Sequence, residues 1–263
     1  MPESARLNES PLAQYEKDGY VISRNVIDAK LVEETRNHVA WLMERHPDLR
    51  PEQLHHELIT HDPFWVRLVG DSRLLDIAEP FIGPNIALFA SHYICKPPHD
   101  GQPVLWHQDG SYWPLEPMEV VTLWLAIDPS TVENGCMRVI PGTQHMDLQA
   151  LRNREDLANV LGSGMDESLI NEEDAVDLTL EPGDVSIHHP NLIHGSKGNH
   201  SPHWRRGLTI RYIPTSTRIK CDGVHPSAFL LRGEAAPGVN AYNPKPRYVP
   251  EEHMPFSGCE AWT

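Results

Sequence analysis

The stretch LWHQDGSYW, Leu105 to Trp113, sets a histidine and an aspartate two residues apart among large apolar side chains. On an extended strand, residues i and i+2 share a face about 6.6 Å apart, at a rise of about 3.3 Å per residue. His107 and Asp109 could therefore converge on one ion, with Gln108 turned the other way. A lone buried carboxylate is costly, and a divalent cation relieves that cost. A third ligand is sought in HHPNLIHGS, His188 to Ser196, where His188, His189 and His194 compete. His194 is the best placed, after an apolar strand and before a Gly-Ser step. Two histidines and one carboxylate on one octahedral face leave three positions open, the arrangement used by non-haem Fe(II) oxygenases.

H-x-D alone is common in surface loops, so the weight falls on the next element. WRRGLTIRY places Arg205 eleven positions after His194. A dicarboxylate bound to the ion needs a cation at its far end, and a guanidinium suits that task. Charge agrees: Fe(II), Asp109, 2-oxoglutarate and Arg205 together sum to zero.

The elements that must position these groups can be read from the chain. Ser10 and Pro11 open a short helix closed by Gly19, Tyr20–Val26 is strand-like, and Asp28 caps a longer helix ending before Pro47. Asp62 to Phe81 reads as two short helices broken near Gly70. The composition then changes to apolar, β-branched runs: NIALFASHYICK, EVVTLWLAID, GCMRVIPGT, VDLTL, DVSIHH and GLTIRYIP. Turn signals at Pro97-Pro98, Glu133-Asn134-Gly135, Pro141-Gly142 and Pro182-Gly183-Asp184 separate them. The expectation is a mainly β fold, a jelly roll, with N-terminal helices packed outside it. A helical insertion is expected at about Asp147 to Leu161. The whole chain, 1–263, is expected to be one domain: a mostly helical part (1–85), a jelly-roll core (86–214) and an irregular tail (215–263). His38 and His46 are expected on a solvated helix face, and His253 in the tail.

The chain has 22 Lys and Arg against 37 Asp and Glu, a net charge of −15. That balance argues against a general nucleic-acid or anionic-membrane binder, whose affinity rests on basic side chains. Cys95, Cys136, Cys221 and Cys259 form no C-x-x-C pair or disulfide framework, so reduced thiols in a cytoplasmic protein are expected. The segment MPESARLNES lacks the blocks of a signal peptide, and no apolar run suits a bilayer.

Taken in order, WHQDGSYW, VTLWLAID, ENGCMRVIPGTQH, HGS and WRRGL resemble the phytanoyl-CoA dioxygenase family of Fe(II)/2-oxoglutarate oxygenases. The resemblance runs from about Leu12 to Pro214. It implies a double-stranded β-helix, His107, Asp109 and His194 as iron ligands, and 2-oxoglutarate and O2 as co-substrates. Arg205 and Ser196 match positions holding the distal carboxylate of 2-oxoglutarate. Trp124 matches an aromatic beside it, and His92 falls at another co-substrate contact. A lysine contact of the family has no clear counterpart, and His55 or His56 is the candidate to replace it. Related halogenases replace the carboxylate ligand by a small residue. Asp109 is present, so hydroxylation or another oxidation is favoured.

The family's substrates range from acyl-CoA thioesters to osmolytes, phosphonates, sugars and natural products. The acidic balance speaks against a CoA ester, which would want a basic rim, and a small polar or secondary-metabolite substrate is expected. Adjacency to the motifs makes Gln108, Tyr112, Trp113, His145, Asn199 and His203 the candidate substrate contacts. The rival class is a cupin-like metal-dependent lyase or ligand-binding protein without oxidative turnover.

Overall fold

The computed structural model describes residues 10–263. Apart from Ser10, the MPESARLNES segment lies outside them.

Four helices precede most of the strands: α1 (Pro11–Asp18), α2 (Ala29–Arg45), α3 (Pro63–Val69) and α4 (Ser72–Ile82). Each begins where a polar side chain takes an orphan backbone N–H. Ser10 accepts from Ala13 at 3.2 Å, Asp28 from Leu31 at 3.0 Å, Asp62 from Trp65 at 2.8 Å and Asp71 from Arg73 at 3.0 Å. Gly19 closes α1 with φ +80°, a left-handed position that suits glycine.

The strands, in chain order, are β1 (Tyr20–Ser23), β2 (Ile86–Tyr93), β3 (Val104–His107), β4 (Leu115–Glu116), β5 (Val121–Ala126), β6 (Met137–Val139) and β7 (Arg152–Asn153). They continue as β8 (Ser163–Gly164), β9 (Val176–Leu178), β10 (Val185–His188), β11 (His194–Ser196), β12 (Gly207–Pro214), β13 (Arg218–Ile219) and β14 (Phe229–Arg232). Six form one antiparallel sheet in the order β1-β10-β5-β12-β2-β14, and four form a second in the order β3-β11-β6-β9. The two sheets make the double-stranded β-helix, a cupin-like jelly roll.

Strand alternation sorts side chains between two environments. Leu123 and Leu125 of β5 and Leu208, Ile210 and Tyr212 of β12 join Val39, Leu42, Trp65 and Leu74 of the helices in the main core. The alternate residues Trp124 and Ala126 pack instead with Met137, Val139 and Leu178 of the smaller sheet. Thr209 and Arg211 line the cavity between the sheets. The outer core locks the large sheet against the helices, and the Tyr212 hydroxyl donates to the Val69 carbonyl at 2.6 Å.

Three expectations are corrected. Asp147 to Leu161 contains no helix: Arg152 and Asn153 pair with Gly164 and Ser163 as a small hairpin. Its leucines do not form one helix stripe. Leu151 joins the Ile140–Ile193 cluster, while Val160 and Leu161 face the cavity. His38 is fully buried, not solvated. Its Nε2 lies 2.7 Å from Asp62 Oδ2 and its Nδ1 2.9 Å from the Tyr93 hydroxyl, so two polar partners offset the burial. The segment after residue 214 is irregular in part, but β14 pairs with β2 and extends the large sheet.

Candidate metal and co-substrate site

β3 ends at His107, and Asp109 opens a turn of 3-10 helix, Asp109–Tyr112. The pair therefore sits at a strand end rather than along a continuous strand. β11 runs beside β3 with His194 directly opposite His107. This register brings the His107, Asp109 and His194 ligand atoms within 4.8 Å of one another. All three are buried, at 3%, 3% and 7% exposure.

The two imidazoles are held in one tautomer. His107 Nδ1 donates to the Leu105 carbonyl at 2.8 Å, and His194 Nδ1 donates to the Leu192 carbonyl at 2.9 Å. Each Nε2 then keeps its lone pair, as a metal ligand requires. Burial holds His194 well below the usual imidazole range, reinforced by the neighbouring His107 and His188. Burial pushes the Asp109 carboxyl up. Arg211, His107 and His188 outweigh that and leave it well below the usual carboxylate range. Asp109 Oδ2 accepts from Thr122 Oγ1 at 3.2 Å, which orients it. Two neutral imidazoles and one carboxylate, dry and oriented, fit a divalent transition-metal ion.

The other two candidates for third ligand are elsewhere. His189 Nδ1 accepts from the Asn191 N–H at 3.0 Å. His188 is buried with its Nε2 3.6 Å from Asp109 Oδ2, beside the trio rather than within it.

A cavity of about 650 Å³ opens from these side chains. One end carries Ser196, Arg205 and Trp124. Arg205 is 1% exposed, and its guanidinium lies 5.0 Å from the centre of the Trp124 ring. Burial pushes it down to about 10, which leaves it charged at neutral pH. Gly207 gives Trp124 its room, since a Cβ there would lie 2.1 Å from the indole.

Lys96, which no sequence motif singled out, lies behind Ser196 and outside the residues that line the cavity. It is fully buried, donating from Nζ to Ser196 Oγ at 2.7 Å and to the Lys197 carbonyl. Burial, then Arg205, holds its ammonium well below the lysine range. Its signal was present: a lysine directly after an apolar strand, in YICKPP. His55 and His56, the expected stand-ins for the family's lysine, line the cavity, where His56 Nδ1 meets His92 Nε2 at 3.0 Å. His92 binds Arg211 as well, so it belongs to that histidine group.

Among the candidate substrate contacts, Tyr112 and Trp113 line the cavity. Four do not. Gln108 is buried but fastens Gln149 and Asn191, both through backbone atoms at 2.8 Å. Asn199 is buried as the knot of a turn, donating to the carbonyls of Pro97 and His203. His145 and His203 are exposed. Adjacency in sequence misled because strand alternation and turns send neighbours to opposite sides.

A jelly roll with a buried two-histidine, one-carboxylate cluster defines the class: a protein of the double-stranded β-helix type with a candidate metal site. A family model, Phytanoyl-CoA dioxygenase (PhyH), matches residues 15–207, and the chain belongs to that family. It is 36% identical over 148 residues to a probable alpha-ketoglutarate-dependent hypophosphite dioxygenase of Stutzerimonas stutzeri, covering 55% of this chain and 51% of that one. The chain thus spans about half the length of that relative. It is 26% identical over 263 residues to the ectoine dioxygenase of Sphingopyxis alaskensis, covering 87% and 86% of the two chains. Among solved structures, the non-heme monooxygenase ThoJ in its apo form superposes with a TM-score of 0.75 at 22% identity, over 89% of this chain and 87% of that one. At that identity the likeness shows the fold.

Proposed function

We propose that this chain is an Fe(II)/2-oxoglutarate-dependent oxygenase acting on a C–H bond of a small molecule. The observation that carries the reading is one cavity lined by both the His107–Asp109–His194 cluster and the Ser196–Arg205 pair, with Lys96 buried behind Ser196. A metal-only lyase or ligand-binding protein has no evident use for the second cluster. Bound iron, with 2-oxoglutarate and O2, supplies the oxidation, and succinate and CO2 are the co-products.

His107 and His194 would hold the iron through Nε2, their Nδ1 protons being committed to carbonyls. Asp109 stays ionised and brings the compensating charge. Arg205 and Ser196 would bind the distal carboxylate of 2-oxoglutarate, with Lys96 holding Ser196 from behind and Trp124 bracing the guanidinium. Burial of these groups excludes water, which strengthens each charged contact. Asp109 would hold the ion where related halogenases leave room for a halide, so hydroxylation or another C–H oxidation is favoured over halogenation; product analysis separates hydroxylation from ring closure or desaturation. Residues 1–263 are read as one oxygenase domain. Four cysteines without a disulfide suit a reducing compartment such as the cytoplasm, and among the described residues no helix is long and apolar enough to cross a membrane.

The test is anaerobic addition of Fe(II) and 2-oxoglutarate, followed by air, ascorbate and candidate substrates. A weak visible charge-transfer band and then succinate are expected. Asp109→Ala abolishes both, and a variant matching the wild type in either readout contradicts the assignment.

A further inference from the structure

The cavity contains a second buried guanidinium. Arg211 projects from β12 on the same face as Thr209, is 8% exposed, and stacks on Trp113 with its Cζ 5.2 Å from the ring centre. Only one of its nitrogens is satisfied. Nη1 donates to His92 Nδ1 at 2.8 Å and to Thr209 Oγ1 at 3.1 Å. Nε has no hydrogen-bond partner among the described residues. Nη2 has only a distant ion-pair contact, 3.6 Å from Asp109 Oδ1. Nε and Nη2 form the side-on edge of a guanidinium, the fork that receives two oxygens of one oxyanion.

The hydrogen-bond order extends this reading. Arginine only donates, so His92 Nδ1 must accept. Neutral His92 then carries its proton on Nε2 and donates to His56 Nδ1. Burial above all, then His225 and Arg211, push His56 down to about 4, so it too is neutral near pH 7. Its proton sits on Nε2, a further donor on a residue that lines the cavity. His225 stacks on His56 at 5.6 Å and 16°, fixing the ring.

Charge completes the argument. A divalent ion takes Asp109 as its own counter-charge, and the keto acid is balanced by the ion and Arg205. Arg211 is then left without an opposing charge. Glu52 also lines the cavity, but Arg50 already holds its carboxylate through two contacts of 3.1 Å. An uncompensated buried cation is costly, and an anionic ligand removes that cost.

We propose that Arg211, with His56, forms a substrate subsite for an oxyanion head group, a carboxylate or phosphonate, so that the oxidised molecule is a small anion with an apolar or ring body. Trp113 and Phe89, rings 5.8 Å apart in the cavity wall, give that body its surface. The inference rests on the oxygenase reading for the word substrate, but the anion site is testable without turnover.

The full chain is loaded anaerobically with Fe(II) and saturating 2-oxoglutarate. Acetate, methylphosphonate and acetamide are then titrated in, followed by the visible band and by calorimetry. Both anions are expected to bind about 10- to 100-fold more tightly than acetamide, as charged hydrogen bonds imply. Arg211→Met removes that preference and Arg211→Lys restores part of it. Acetamide binding as well as acetate to the wild type, or an Arg211→Met chain that keeps the preference, overturns the subsite. The wild-type comparison decides even if Arg211→Met does not fold. A missing visible band counts against the iron reading alone. The same titration of metal-free wild type and Arg211→Met then judges the subsite separately: loss of the preference in the variant supports it, and an unchanged preference refutes it.

Discussion

Lys96 shows how a single buried charge is given a purpose by its neighbours. Its ammonium is fully buried beside Arg205, an arrangement that disfavours its own protonation. A carboxylate bound at Ser196 and Arg205 would relieve that penalty. Lys96→Met is therefore expected to weaken 2-oxoglutarate binding about 10- to 100-fold, the worth of one charged hydrogen bond. Metal binding should survive. The check is the 2-oxoglutarate dependence of the visible band, and an unchanged midpoint would remove Lys96 from the co-substrate site. His107, Asp109 and His194 stood out because each follows or interrupts an apolar strand, and Arg205 because it leads into one at a recognisable spacing from His194. Lys96 and Arg211 have the same kind of setting, but no local partner announces them.

At the scale of elements, α2 and α3 are joined to β2 by a buried polar chain. His38 links Asp62, the cap of α3, to Tyr93 at the end of β2. Trp65 of α3 adds a second tie, donating from Nε1 to Ser91 Oγ at 3.0 Å. Replacing the imidazole by an apolar group strands a buried carboxylate and a buried hydroxyl. His38→Leu is expected to cost about 3 kcal/mol. Urea unfolding reads this as a lower midpoint with an unchanged slope, and a midpoint within error of the wild type would contradict it. The helix periodicity around His38 was legible in the sequence. Its burial was not, because the partners Asp62 and Tyr93 come from elements that only folding brings near.

For the whole molecule, pH should act through histidines that folding keeps neutral. Burial, then His145 and His188, push His189 down to about 4 from the ordinary 6.5. Its Nδ1 accepts a backbone N–H, a bond that protonation would break. The unfolded chain takes up this proton near 6.5 and the folded chain only near 4. The stability it contributes is thus complete above about 6.5 and is lost as pH falls towards 4. His189→Asn keeps an acceptor but cannot titrate. Its melting temperature is expected to fall less than the wild type's between about pH 7 and pH 4.5, by scanning calorimetry. Parallel curves would dismiss the effect.

What the sequence determined by itself was what local geometry decides. Caps at Ser10 and Asp28, the apolar β-branched runs EVVTLWLAID and GLTIRYIP, and the two-residue step from His107 to Asp109 all act within one or two turns of chain. The expected helix at Asp147–Leu161 failed because its apolar side chains divide between the Ile140–Ile193 cluster, the cavity and solvent rather than forming one stripe. Strand register decided the rest. Pairing His194 with His107 selected one histidine of three, and pairing β12 with β5 and β2 sent Arg211 inward beside His92 and Asp109. A shift of one residue in either register would turn those side chains to the opposite face. The meeting of distant charges in one cavity is a property of the paired sheets, and no stretch of chain contains it alone.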